Sequence, residues 1–315
     1  MKRKLISIHS ILVIVLAVMM VVGIGNLSTE ASFPVEVEDD LGQNITLEEK
    51  PEKIITMAPS MTEMVFAIGL GDKVVGVTDY ADYPEEALEK DKIGDVTEPS
   101  IETIVAMEPD LVLAAGVNKK ETIEKLQDLD ITVAGFDPSN LKETIEVINK
   151  VGELTGERVQ ASETAAEMSR EMNEIENLVE EKLEEKERPT VFYEIWNDPL
   201  TTASEGTFIH DLIVIAGGEN IGAEAEGNYP QYSLEKLLEK DPEVFISSEH
   251  SASEEVSAES IKDRNNFSSL QAVQNDRVYV VDQDIVSRPS PRLVDGLKAF
   301  TAAIFPELKE KLEDI

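Results

Sequence analysis

Two carboxylates stand at matching places in a sequence that repeats itself. Glu102 lies in Ser100-Ile-Glu-Thr-Ile-Val-Ala-Met-Glu-Pro-Asp-Leu-Val-Leu113, and Glu235 in Ser233-Leu-Glu-Lys-Leu-Leu-Glu-Lys-Asp-Pro-Glu-Val-Phe-Ile246. Each segment reads as a Ser cap, a Glu two residues on, a pair of apolar residues, an acid-Pro break and a strand. A first-turn Glu is stabilised by the helix dipole by about 0.3–1 kcal/mol and needs no partner for that. The same carboxylate can also accept directional bonds from an arginine. Catalytic chemistry has less to work with. The three histidines, His9, His210 and His250, are too scattered for a metal cluster. With no cysteine there is no thiol nucleophile, Fe–S cluster, CxxC pair, disulfide or lipid-modified cysteine anchor. P-loop, HExxH and GxSxG signatures are absent. Gly69-Leu-Gly71 ends a helix and precedes a strand, the reverse of a dinucleotide loop. His210 reads as a helix-surface or packing residue, and His250 as a loop residue.

The chain around these residues has 315 residues and a net charge of −36. Such acidity argues against a nucleic-acid partner, because a polyanion is repelled, and is consistent with adaptation to a salt-rich medium. Length and composition allow two domains. Residues 1–31 read as a targeting segment. Lys2, Arg3 and Lys4 precede an almost wholly apolar run from Ile11 to Gly25, with Thr29-Glu30-Ala31 as a cleavage site. The alternative is an uncleaved anchor. Either way an extracytoplasmic location is expected, secreted or held at the membrane.

Between Phe33 and Gly156 short apolar runs alternate with helical patterns. Phe33–Glu38 and Ile45–Leu47 form a hairpin across Asp39-Asp40-Leu41-Gly42. Strands are expected at Lys53–Met57, Lys73–Val77, Ile93–Val96, Leu111–Ala114 and Ile131–Ala134. Helices are expected from Ser60 to Ile68, with Ser60-Met-Thr-Glu63 as a capping box, and at Ile101–Met107, Thr122–Leu129 and Asn140–Leu154. From Pro189 the alternation resumes, with strands at Thr190–Ile195, Asn220–Ile221, Val244–Ser247 and Val278–Asp282. Helices follow Thr207 and Ser233, and one closes the chain through Phe305. This is an α/β pattern given twice, and each half implies a mostly parallel sheet.

Between the halves runs Glu157–Arg188, without Gly or Pro. Apolar residues recur at Ala161, Ala165, Met168, Met172, Ile175 and Val179, the spacing of one helix face. A long helix of this kind is a coiled-coil arm or a strut; two like lobes on either side favour the strut. The expected organisation is a lobe at 33–156, an interlobe helix at 157–188 and a second lobe at 189–315. Ligands of open α/β sheets bind beyond the carboxyl ends of the strands. Trp196, just after a strand, should face a cleft between the lobes. Arg292, in the first turn of a helix, is poorly placed as a free cation and should pair with an acid.

Six segments together resemble the substrate-binding proteins of ABC importers for cobalamin and iron siderophores. They are Ile54–Glu63, Val75–Pro84, Ser100–Val112, Ala216–Ile221, Tyr229–Glu235 and Arg288–Arg292, in collinear order over roughly Phe33 to Phe305. The resemblance implies two Rossmann-like α/β lobes bridged by one long helix, the class III periplasmic-binding-protein fold, with 53–310 as one binding domain and no enzymatic activity. It implies a corrinoid, cobalamin-like ligand held between the lobes by Tyr80, Trp196, Tyr229 and Arg288. No cofactor of its own is expected, though the ligand can contain cobalt or iron. It also implies docking of Glu102 and Glu235 on an ABC permease with its ATPase, and a monomer. Val96 and Ala115 stand where a cobalamin binder can place aromatics, so a ferric siderophore or haem remains the alternative ligand.

Overall fold

The computed structural model describes residues 32–184, 186–248 and 256–315. The targeting segment and His250 therefore lie outside the described residues. Among those described, no helix is long and apolar enough to cross a membrane. The chain opens with an antiparallel hairpin of β1 (Val35–Glu38) and β2 (Asn44–Leu47). The Asp39 carboxylate caps its turn by accepting from the amides of Leu41 and Gln43.

The first lobe follows as β3 (Ile54–Thr56), α1 (Pro59–Ala67), β4 (Val74–Val77), β5 (Asp91–Lys92), α2 (Ile101–Ala106), β6 (Leu111–Ala115), α3 (Lys120–Gln127), β7 (Val133–Phe136) and α4 (Leu141–Thr155). Its five strands run parallel in the order β5-β4-β3-β6-β7. Every residue of β6 and β7 is buried, as a sheet covered on both faces requires. The strand expected at Ile93–Val96 lies instead at Asp91–Lys92, and the last strand begins at Val133 rather than Ile131. The capping box expected at Ser60–Glu63 does not form. Ala58 is the N-cap, Pro59 opens α1, and Ser60 and Glu63 lie inside the helix.

After α5 (Arg158–Leu183), the second lobe is built from β8 (Thr190–Glu194), β9 (Trp196–Asn197), β10 (Leu200–Thr201), α6 (Phe208–Ile215), β11 (Glu219–Asn220), α7 (Leu234–Lys240), β12 (Val244–Ser248), α8 (Ala258–Lys262), α9 (Gln271–Gln274), β13 (Val278–Val281), α10 (Gln283–Ser287), α11 (Leu293–Ile304) and α12 (Lys309–Leu312). Its sheet is again parallel, in the order β11-β8-β12-β13. The repeated segments adopt the same local structure. Ser100 accepts from the Thr103 amide at 3.2 Å and Ser233 from the Lys236 amide at 3.1 Å, each opening a helix that leads to a buried strand.

The 26 residues of α5 span about 39 Å at 1.5 Å per residue. The helix stops at Glu184, earlier than Pro189 alone would impose. Its buried residues are Ala161, Ala165, Met168, Met172, Ile175 and Val179, the six of the apolar stripe. They belong to one continuous core that also takes in Val147, Val151 and Leu154 of α4 and Leu297, Phe300 and Ile304 of α11. The helix is thus packed lengthwise into both lobes. Separate apolar clusters fill the far face of each sheet, around Ile104 and Leu126 in the first lobe and around Phe192 and Phe245 in the second.

Candidate functional site

The carboxyl ends of the parallel strands place two sets of loops, and these carry the candidate residues. After β4, the segment Thr78–Pro84 presents Tyr80 and Tyr83, both exposed. The segment is held from beneath, because the Lys92 ammonium donates to the carbonyls of Thr78 at 3.2 Å and Ala81 at 3.1 Å. Asn118 ties three strand ends together. Its amide donates at 2.8 Å to the carbonyls of Met57 and Val96, and its carbonyl accepts from Ala115 at 2.8 Å. A buried amide with its hydrogen bonds satisfied costs little and fixes the loops it joins.

In the second lobe, Trp196 stands in the two-residue strand β9, paired with β10, and is 42% exposed. Its indole N–H donates to the Asp198 carbonyl at 2.8 Å, which fixes the orientation of the ring. Tyr229 is half exposed on a segment anchored to β10 and its continuation. The Thr202 amide donates to the Pro230 carbonyl and the Ser204 amide to the Asn228 carbonyl. Burial raises the pKa of the Tyr229 hydroxyl, and the Asp137 carboxylate of the first lobe raises it further. Burial also raises the pKa of Asp137, assisted by the charges of Asp40 and Glu143. At the carboxyl end of β8, the buried Glu194 pairs with Arg264 and accepts from the Ser247 hydroxyl of β12 at 3.2 Å. His210 bonds the Asn220 side chain and serves packing.

Arg288 and Arg292 occupy a different setting from a ligand-facing loop. The Glu63 carboxylate, about 1% exposed, reaches across from α1. It accepts from Arg288 Nη1 at 3.1 Å, Ser290 Oγ at 2.6 Å, Arg292 Nε at 2.9 Å and Arg292 Nη2 at 2.6 Å. Arg288 also binds Asp82 at 2.7 Å and Asp284 at 2.8 Å. The Arg292 guanidinium lies 4.0 Å from the centre of the Tyr83 ring, a cation–π contact. Burial tends to lower the pKa of both arginines, but their carboxylate partners outweigh it and the net direction is upward. The expected acid partner of Arg292 is thus Glu63. Arg288, expected to contact ligand, is engaged here by three carboxylates, those of Glu63, Asp82 and Asp284, which take up three of its five N–H donors. A cavity of about 810 Å³ lies on the α5 side of this cluster, lined by Glu63, Phe66, Tyr83, Met168, Glu171 and Arg292. Its lining includes none of Tyr80, Trp196 and Tyr229.

Glu102 and Glu235 are exposed in the first turns of α2 and α7, one on each lobe. Glu63, Asp82, Asn118, Asp137, Asp284 and Ser290 were not singled out by sequence as site residues. Glu63, Asp82 and Ser290 find partners more than 200 residues away, too far along the chain for local patterns to connect. Among the described residues, the cations described above at and beyond the strand ends are engaged: Lys92 by carbonyls, Lys119 by Glu98, Arg264 by Glu194, and Arg288 and Arg292 by carboxylates.

Residues 54–285 match the periplasmic binding protein family. A vitamin B12-binding protein of Vibrio cholerae is 31% identical over 249 residues, covering 78% of this chain and 87% of that protein. An uncharacterized ABC transporter substrate-binding lipoprotein of Bacillus subtilis is 30% identical over 308 residues, covering 93% of this chain and 96% of its own length. Among solved structures, the periplasmic vitamin B12 binding protein of Vibrio cholerae superposes with a TM-score of 0.70 at 28% identity, covering 83% of this chain and 98% of that one.

Proposed function

The chain belongs to the periplasmic binding protein family, as a substrate-binding protein of an ABC importer rather than an enzyme, and on that premise we propose that its ligand is a corrinoid. The ligand sits between the two lobes, against Tyr80, Trp196 and Tyr229, and is handed to a permease outside the cytoplasm. The observation that carries this reading is the pairing of large exposed aromatic faces with a shortage of available cations. Tyr80, Trp196 and Tyr229 are 58%, 42% and 50% exposed at the ends of parallel strands. Stacking on such rings suits a broad, flat, amide-edged molecule. An anionic ferric chelate or haem would call for arginine or lysine donors, and those in the described loops are engaged. The Vibrio cholerae relative, named as a vitamin B12-binding protein, supports the same choice.

Delivery would use Glu102 and Glu235, paired carboxylates on equivalent surfaces of the two lobes that can register on permease arginines. Export would follow from the N-terminal targeting segment. The Bacillus subtilis relative is named a lipoprotein; this chain has no cysteine to acylate, so retention at the membrane would fall to the uncleaved segment itself.

Trp196 is the sole tryptophan, so intrinsic indole fluorescence reports on that position alone. Titration with cyanocobalamin or cobinamide should quench it saturably, and ferric siderophores or haem should not. Saturable quenching by a siderophore with none by corrinoids would overturn the assignment.

A further inference from the structure

We infer that Glu63 is the centre of an interlobe lock, which sets the spacing of the two lobes and fixes the loop that carries Tyr80. The lock joins segments more than 220 residues apart in sequence. On one side stands a single carboxylate of α1. On the other is Arg288-Pro-Ser-Pro-Arg292, the connection between α10 and α11. Four hydrogen bonds from three residues converge on the two oxygens of Glu63, at 2.6–3.1 Å. The same two arginines hold the segment after β4, Arg288 through Asp82 and Arg292 through the Tyr83 ring. Tyr80 lies two residues before Asp82, so a change of lobe spacing at the lock is transmitted to it.

The energetics favour an all-or-none device. Glu63 is almost wholly buried and both arginine side chains are below 20% exposed. Removing one partner from a desolvated pair leaves a buried charge uncompensated, which is far more costly than losing a surface bridge. Parting the lobes must therefore release Glu63 from both arginines and Ser290 together, while loosening Asp82 and Tyr83. The competing possibility is that the shared core along α5 alone holds the lobes and the cluster merely fills space.

The absence of native cysteine makes the distinction measurable. Spin labels on Lys125→Cys in α3 and Glu239→Cys in α7, both exposed, report the interlobe distance in the unliganded protein, whatever its ligand is. Glu63→Gln keeps the shape and removes the charge; Arg292→Lys keeps the charge and removes the planar fork. Each should broaden the distance distribution and move it to longer values while melting stays cooperative. Ser290→Ala, a milder change that keeps every charge, should broaden it less; it decides the matter if the other two fail to fold. A distribution unchanged from the parent in folded Glu63→Gln and Arg292→Lys, or in Ser290→Ala if only that variant folds, would overturn the lock. Corrinoid binding could still hold in that event.

Discussion

Burial and the neighbouring charges of Asp40 and Glu143 raise the pKa of Asp137 above its ordinary 3.8. A carboxyl whose folded pKa is raised binds protons more readily when folded, so its ionised form weighs against folding at neutral pH. Asp137→Asn should therefore raise the melting temperature at pH 7, and the gain should shrink as pH falls toward 3.8; a loss at pH 7 would contradict the placement. Asp82 has the opposite sign. Burial raises its pKa, but the hydrogen bond and charge of Arg288 outweigh that and the net direction is down. Its contribution is present above the ordinary carboxyl range and fades as pH drops through the lowered value. Asp82→Asn should lower the melting temperature at neutral pH and have little effect in acid. Of the aromatic candidates, Trp196 could be picked from the strand that precedes it, whereas Tyr80 and Tyr229 came only from the family resemblance. Glu63 came from neither. Its Thr-Glu sequence after Ala58-Pro-Ser60 looks like local capping, and nothing local points to Arg292.

At the scale of elements, α5 is where the two lobes meet the same apolar stripe. The 3.6-residue period gave all six of its buried residues. What the period could not give is how closely neighbours approach. A Cβ added to Gly152 of α4 would fall 2.1 Å from the Ala161 Cβ, and one added to Gly217 would fall 2.6 Å from Val179 Cγ1. Gly217 also has φ = +85°, which L side chains rarely adopt. The two glycines let α5 seat against the first and second lobes respectively. Gly152→Val should destabilise the protein by about 1–3 kcal/mol through overpacking, read from denaturant midpoints. Ile175→Ala, which empties a fully buried site, should cost about 2–5 kcal/mol. Equal stability of either variant and the parent would mean that α5 is not packed as described. Short elements were the least legible. The pair β9–β10 and the displacement of β5 arise from loop pairing rather than from hydrophobic periodicity.

For the whole molecule, a core running without interruption from β1 through α5 to α11 leaves little scope for hinge bending. Ligand binding should change the radius of gyration in solution only slightly; a large contraction would count against a rigid frame. The two equivalent faces at Glu102 and Glu235 make a separable prediction. Reversing both charges to lysine should abolish uptake through the permease while corrinoid affinity stays within about twofold, measured by transport and by binding on the same variant. The central claim, a corrinoid held between two lobes, is tested most directly by equilibrium dialysis of the purified protein against cyanocobalamin and a ferric siderophore in parallel. The expected result is one corrinoid retained per chain, lost on Trp196→Ala, with no siderophore retained. Retention of the siderophore and not of the corrinoid would contradict it.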